Sequence, residues 1–526
     1  MTPNAFRQRM TACDRRARPK YRPMRHRWKS TLTLAAALLA SPWVMAQDAM
    51  SERELRAVVQ EALDLAKQER WSEACTRSRD IGRLEAMRTG DDAERAKVLA
   101  NAGYLHVGCE RWEDAYWVLK ASTTLLPDAW PLYHLAMATE ETGRHRETVE
   151  AFEIMAAREP AGLTDEAADR AWRTFHALEG DRPTQRRLLQ AFADANYFSY
   201  AGDSAFMWLA LAEMHLEVGR PDLARKVVER VTNVPDRFRI HVDRRFDAPT
   251  TEPPSRFDVR ATAQHHLGLI GLQAEFNPES ALVWRELAET KLVIGDHAGL
   301  IDWVTRLLER VGEPDPDDRG ERSLKNGYNQ AWLLYSRGVA HARLGDTERA
   351  LADMKRAVEM PMTENGRALH RRHLAQLQCY LGNPTEAMQL LRGLDQTFSL
   401  RETIIDVRIL HCVAAQSGDP DLLPGMVTKS ERIFLPKNPM LAVESHLWAG
   451  SIDGAERILI DRLESAEFRG EALLFVQSGL HTNGMPGRSV FDRNRKALLA
   501  RPAVKAAIEK VGRLEHVDAY LDFGLE

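Results

Sequence analysis

The stretch from Ala96 to Pro127 reads AKVLANAGYLHVGCERWEDAYWVLKASTTLLP. It holds an amphipathic run at helical spacing, a polar turn, a second such run and a closing proline. The stretch that follows, AWPLYHLAMATEETGRHRETVEAFEIMAAREP from Ala129 to Pro160, has the same layout. Further copies start at Ala205 (AFMWLALAEMHLEVGRPDLARKVVERV), Ala281 (ALVWRELAETKLVIGDHAGLIDWVTRLL) and Ala331 (AWLLYSRGVAHARLGDTERALADMKRAVEMP). Gly143, Gly180, Gly219, Gly295, Gly345, Gly382, Gly418 and Gly450 mark the turns. Most intervals between neighbours are 32 to 39 residues; only 219 to 295 and 295 to 345 are wider. At 526 residues the chain is too long for one compact core, so a repeat of helix pairs is the economical reading.

These copies resemble the tetratricopeptide repeat family. Trp208-x2-Leu211-Ala212 and Trp284-x2-Leu287-Ala288 match the first-helix pattern of that family. Ala115, Ala224, Ala350 and Ala387 match its small second-helix position, Phe152 its large apolar position, and Pro127 and Pro160 its closing proline. The resemblance covers about residues 51–500. It implies an all-α fold, a right-handed α-α superhelix or solenoid, with first helices lining an inner groove. It also implies binding of a peptide or another protein, rather than chemistry, as the function. Residues 501–526 read as two capping helices, one stopped at Gly512 and one ending near Asp522, on the open end of the solenoid.

Family positions on the first helices give the groove candidates: Tyr104, Trp130, Tyr133, Arg285, Trp332, Tyr335 and Arg372. Aromatic and Arg side chains anchor docked peptides well, but at helical spacing they also build cores. The Lys and Asn clamp that some relatives use for a terminal carboxylate is absent. Ala100, Tyr133, Leu209, Arg285 and Tyr335 stand at its leading position. The family geometry also brings Cys75, early in one second helix, to the same rim as Cys109, late in the next first helix. The resemblance therefore allows a Cys75–Cys109 bridge, and two buried thiols are the other reading.

One stretch breaks the pattern. RFRIHVDRRFDAPTTEPPSRFD, from Arg237 to Asp258, alternates apolar and polar residues between Phe238 and Phe246, then carries Pro249, Pro253 and Pro254. The alternation predicts a strand and the prolines a loop. The segment Arg260–Pro278 reads as a second helix whose first helix is missing. Residues 235–258 are thus expected to be an irregular, non-helical insert in its place, dividing an N-terminal array (47–234) from a C-terminal one (259–500). Arg239, Arg244 and Arg245 make the insert locally basic, as a docking element would be; a passive connector fits as well.

Residues 1–46 hold ten Lys or Arg against Asp14, then the apolar run TLTLAAALLA (Thr31–Ala40) and Val44-Met45-Ala46. That order is the mark of a signal peptide cleaved after Ala46, with Met24 as an alternative start. The run is short of the ~20 residues a membrane span needs, so no stable insertion is expected once it is removed. The expected location is the periplasm of a bacterial envelope. The whole chain carries −4 and residues 1–46 carry +9, leaving −13 for the remainder. Such a charge argues against nucleic acid as partner. Export permits disulfides among Cys75, Cys109, Cys379 and Cys412.

No metal or cofactor is expected. His241, Asp243, His265 and His266 lack ligand spacing, and Asp315, Asp317 and Gly320 form only a broken calcium loop, with Asn326 where a bidentate Glu belongs. No catalytic motif is present. The sequence thus points to an exported, non-catalytic scaffold that binds a protein or peptide. An envelope hydrolase or transferase, or a subunit of a secretion or polymer-export machine, are the alternatives.

Overall fold

The computed structural model describes residues 52–78, 91–197, 205–247, 258–276, 278–318, 323–394, 400–417, 422–435, 438–477 and 485–515. The leader (1–46), the proline-rich 248–257, Gly320, Gly418 and the second capping helix near Asp522 lie outside them. The described residues form 25 α-helices, three short 3-10 turns and no strand. The chain is an all-α array of consecutive helix pairs. It divides into two compact units, one ending at Tyr197 and one beginning at Phe198, rather than at the expected insert.

The N-terminal unit holds four pairs: α1 (Glu52–Lys67) with α2 (Trp71–Ser78), α3 (Asp92–Gly108) with α4 (Trp112–Leu125), α5 (Ala129–Glu141) with α6 (His145–Arg158), and α7 (Asp165–Ala177) with α8 (Arg182–Asp194). Each pair turns through one residue in the left-handed region: Glu69, Glu110, Gly143 and Gly180. A residue at positive φ just past a helix ends it and lets the chain reverse within a few residues. Small residues then bring the two helices of a pair together. Ala115 and Ala74 have no exposed surface, and Gly103 faces Leu119. Neighbouring pairs are tied across their second helices by ion pairs at about the repeat spacing. Arg144 meets Glu113, Arg146 meets Asp181, Arg187 meets Glu153, and Lys120 meets Glu147. Exposed pairs of this kind add little stability singly; their contribution is register. The sulfurs of Cys75 and Cys109 are bonded, with Cα atoms 5.5 Å apart.

The second unit continues with α9 (Ala205–Glu217) and α10 (Pro221–Val228), then α11 (Val234–Val242) and α12 (Val259–Phe276). The expected strand is therefore a helix. Asn233 caps it by accepting from the Asp236 N–H at 2.8 Å, and Pro235 sits in its first turn, where a missing N–H costs nothing. Val234, Phe238 and Val242, one helical turn apart, are almost fully buried; Ile240 and Arg239 are buried too. A helix enclosed on most sides loses its 3.6-residue polarity, and its residual pattern imitates a strand. A 3-10 turn, Arg244–Phe246, follows and buries Phe246. The first helix that the sequence lacks is thus present, shortened to nine residues and packed on α12.

The next pairs are α13 (Ala281–Val293) and α14 (His297–Val311), α15 (Gly327–Arg343) and α16 (Thr347–Glu359), α17 (Glu364–Tyr380) and α18 (Pro384–Leu391), α19 (Leu400–Ser417) and α20 (Leu422–Phe434), and α21 (Pro439–Trp448) and α22 (Ile452–Glu464). Asn326, cast above as a calcium-loop position, caps α15 by accepting from the Tyr328 N–H at 2.9 Å. A second disulfide, Cys379–Cys412, joins the first helices α17 and α19, with Cα atoms 6.3 Å apart.

The last three helices, α23 (Arg469–Val476), α24 (Ser489–Ala500) and α25 (Pro502–Val511), pack on the core of this unit. Leu473, Val476, Phe491, Leu498, Val504 and Ile508 belong to the same buried cluster as Val234, Phe238 and Val242. Gly512 pairs antiparallel with Asp243, and the Arg513 N–H donates to the Val242 carbonyl at 2.9 Å. The Arg513 guanidinium reaches the His241 carbonyl (2.8 Å) and Asp247 (2.6 Å), while Glu515 meets His241 Nε2 at 2.8 Å. Residues 512–515 are thus joined to the end of α11 and the turn that follows it.

Candidate partner-binding site

In the N-terminal unit the first-helix candidates stand together. Tyr104 comes from α3, and Trp130 and Tyr133 from α5. The rings of Tyr104 and Trp130 are 5.5 Å apart, and Trp71, at the start of α2, lies 5.9 Å from Tyr104 edge to face. His134 sits between them, 4.6 Å from Trp130, 5.3 Å from Tyr104 and 5.5 Å from Tyr133. Its Nδ1 is 2.8 Å from the Trp130 carbonyl, and burial pushes its pKa down, so it serves as a neutral spacer. Trp130 is 44% exposed. Tyr104 and Tyr133 are half-buried.

Arg170 of α7 extends the row. Its guanidinium lies 5.8 Å from the Tyr133 ring and donates to Glu140 at 2.7 Å. Arg173 engages the same carboxylate. The result is a row drawn from α2, α3, α5 and α7, with rings at one end and two guanidinium groups around one carboxylate at the other. Rigid rings with two side-chain torsions lose little entropy on docking, and an exposed Trp beside Tyr is the composition of a binding anchor.

In the second unit the candidates are interior. Arg285 places its guanidinium 4.6 Å from the Trp332 ring. Trp332 packs against Tyr335, His370 and His373 at 5.2 to 5.6 Å. Arg372 donates to Asp406 of the next first helix at 2.9 Å, and Arg408 repeats this with Glu444 at 2.7 Å. Arg285, Trp332, Tyr335 and Arg372 are all 7% exposed or less, so they do not line an open groove. Family position identifies the face of the helix, while burial of that face depends on what the rest of the chain does.

The basic residues of the expected insert are likewise used internally. Arg239 donates to Glu213 at 2.7 Å, Arg245 to Asp243, Glu213 and the Ala466 carbonyl, and Arg244 to the Gly512 carbonyl. They hold α9, α11 and the chain end together rather than forming a free basic patch. His241, Asp243, His265 and His266 do not converge: His266 meets Glu286 at 3.0 Å, Asp243 meets Arg245, and His265 points to solvent. Among the described residues no group of three or more metal-ligating side chains forms a site.

Sequence reasoning missed Trp71, His134 and Arg170. None was singled out from family position: Trp71 and Arg170 are revealed by the packing of α2 and α7, and His134 by its place between the rings of α3 and α5. It also missed Cys379–Cys412, although the 33-residue separation is close to one repeat.

No family model and no curated protein matches the chain. Among solved structures it is similar to yeast Tom70, at 10% identity over 87% of this chain and 99% of that one, with a TM-score of 0.31. It is also similar to the Cut9–Hcn1 hetero-tetramer of the APC/C, at 13% identity over 87% and 83%, with a TM-score of 0.30. A monomeric IFIT1 mutant with Gppp-AAAA matches at 13% identity over 86% and 96%, with a TM-score of 0.27.

Proposed function

We propose that this chain is an exported scaffold of the tetratricopeptide type that binds a protein or peptide through the aromatic face of its N-terminal unit. The observation that carries the reading is Trp130: a large apolar side chain, 44% exposed, in a row of rings on consecutive first helices. A solvent-facing Trp at the centre of such a row has an obvious use as an anchor. Location in an oxidising bacterial envelope is supported by the basic and apolar leader and by two disulfides, since such bonds persist outside reducing compartments. Binding rather than catalysis is the reading that the repeat supports.

The test is comparative. Crosslinking in envelope extracts and mass spectrometry identify a partner, and its affinity is then measured for three proteins: wild type, Trp130→Ala and Trp117→Ala. Trp117 is 62% exposed on the second helix α4 and serves as the control. Loss of an anchor of this kind weakens binding by about 30-fold or more, roughly 2 kcal/mol. Equal affinity of the Trp130 variant and wild type would refute the assignment of this face.

A further inference from the structure

Helix α12 has two unlike faces. Val259, Ala263, His266, Ile270, Gln273 and Ala274 are 9% exposed or less and point into the unit. His266 meets Thr232 and Glu286, and Ile270 packs with Val283 of α13. The opposite face carries Gln264, His265, Gly268, Leu272 and Glu275, all exposed. Leu272 stands out, at 55% exposed. From Ala261 to Ala274 the helix has no Lys, Arg, Asp or Glu. By contrast, the second helix α14 exposes Asp302, Arg306, Glu309 and Arg310. An apolar centre with polar and charged groups only at its edge is the composition of an interface rather than of a solvated face.

No other part of the described chain comes within 4 Å of a Cβ added at Gly268 or Gly271. Glycine in mid-helix destabilises the helix, and packing within the unit does not call for it here. What Gly268 provides is a notch beside the protruding Leu272, where a side chain from outside can reach the backbone.

The face is also complementary to its own reversal. Gly268 and Leu272 stand two residues either side of Ile270, and His265 and Glu275 five residues either side. Along a helix these offsets are about 3 Å and about 7.5 Å, and at 3.6 residues per turn all four project from the side opposite Ile270. A two-fold axis at the level of Ile270 therefore sets Leu272 beside Gly268 of a second copy and His265 within reach of Glu275 of that copy. Each contact then occurs twice. A patch that matches itself in this way, in shape and in charge, is what an isologous interface requires.

We infer that α12 is a self-association surface, on which a second copy of this chain docks antiparallel through the same helix. Leu272 is the knob, Gly268 the notch, and the His265–Glu275 pairs fix the register. One helix from each copy covers less than the roughly 1,200 Å² of stable complexes, so the dimer is weak and reversible, with a Kd of about 10–100 μM. The inference is independent of the N-terminal aromatic face: it concerns another unit, and either can fail alone.

Sedimentation equilibrium of the full-length protein, from about 1 μM to about 300 μM, tests it. Wild type should pass from monomer to dimer over that range. Leu272→Glu should weaken the dimer at least about tenfold, since it places a carboxylate against the notch. His265→Glu, which sets two carboxylates together at both flanks, should weaken it about fivefold. H265E/E275K restores opposite charges in both pairs and should return to within about twofold of wild type. Circular dichroism and thermal melting check folding; if Leu272→Glu disturbs the monomer, the charge exchange alone decides. A monomer throughout the range would overturn the inference. So would a dimer indifferent to these substitutions, which forms through another face, or a double variant as weak as His265→Glu.

Discussion

Glu213 accepts from Arg239 at 2.7 Å and from Arg245 at 3.1 Å, and through this one carboxylate α9 holds both α11 and the turn that follows it. Arg239 is 8% exposed at its side chain and Arg245 15%. Removing Glu213 would leave both guanidinium groups enclosed, one of them still paired with Asp243. Breaking a buried pair from one side costs about 3–5 kcal/mol. Glu213→Ala is therefore expected to lower the unfolding free energy of the second unit, measured by urea titration, by that amount. A loss below about 1 kcal/mol would mean that solvent reaches the pair and that the arginines are available for other partners.

The same junction shows how far the sequence could be read. Helix pairs with one-sided polarity were legible: Ala115, Ala224, Ala350 and Ala387 all sit with no exposed surface where the repeat pattern puts the small residue. The turn glycines at 143, 180, 219, 295, 345, 382 and 450 all adopt positive φ. What misled was α11, whose apolar residues face neighbours on several sides, so its periodicity vanished. The site was half legible. Position identified Tyr104, Trp130 and Tyr133 on their face, and identified Trp332 and Arg372 equally well. Whether such a face is open depends on the side chains of adjacent repeats: Arg285, His370 and His373 enclose Trp332, and Asp406 takes up Arg372, which the pattern within one repeat does not encode.

His106 gives the N-terminal unit a pH dependence. It has no exposed surface, and burial, with Arg111 nearby, pushes its pKa down to about 4. In the unfolded chain it titrates near 6.5, so between those values the unfolded state binds the extra proton. Stability contributed by the neutral ring is present above pH 6.5 and is lost as pH falls towards 4. The loss between pH 7 and pH 5 should be about 2 kcal/mol for this residue. His106→Leu should flatten that part of the profile, measured as urea midpoints at the two pH values. An unchanged slope would show that the ring is hydrated.

The Cys75–Cys109 bridge closes a loop 34 residues long and ties α2 to the end of α3. Cross-linking a loop of this length restricts the unfolded chain, and its removal should cost about 2–4 kcal/mol. Cys109→Ala should lower the melting temperature of the N-terminal unit and abolish its sensitivity to dithiothreitol. Non-reducing peptide mapping of wild type should recover the 75–109 pair and the 379–412 pair. Free thiols at all four positions in protein purified from an oxidising compartment would contradict both.

Gly103 tests how closely the helices of one pair must approach. A Cβ there would stand 2.3 Å from Leu119 Cγ and 2.5 Å from its Cδ2, inside a region where Leu119 is fully buried. Overpacking of this kind costs about 1–3 kcal/mol, against a gain of about 1 kcal/mol from replacing a helical glycine by alanine. Gly268 of α12 has nothing within 4 Å of the same added atom. Gly103→Ala should therefore destabilise or at best be neutral, while Gly268→Ala should stabilise by up to about 1 kcal/mol. The two substitutions are chemically identical, so the difference between them isolates the contact with Leu119. A double-mutant cycle of Gly103→Ala with Leu119→Val should show the clash relieved, as a coupling of at least about 0.5 kcal/mol. If both alanines stabilise equally, α3 and α4 are free to separate, and close approach at the small positions is not what fixes the helix pairs.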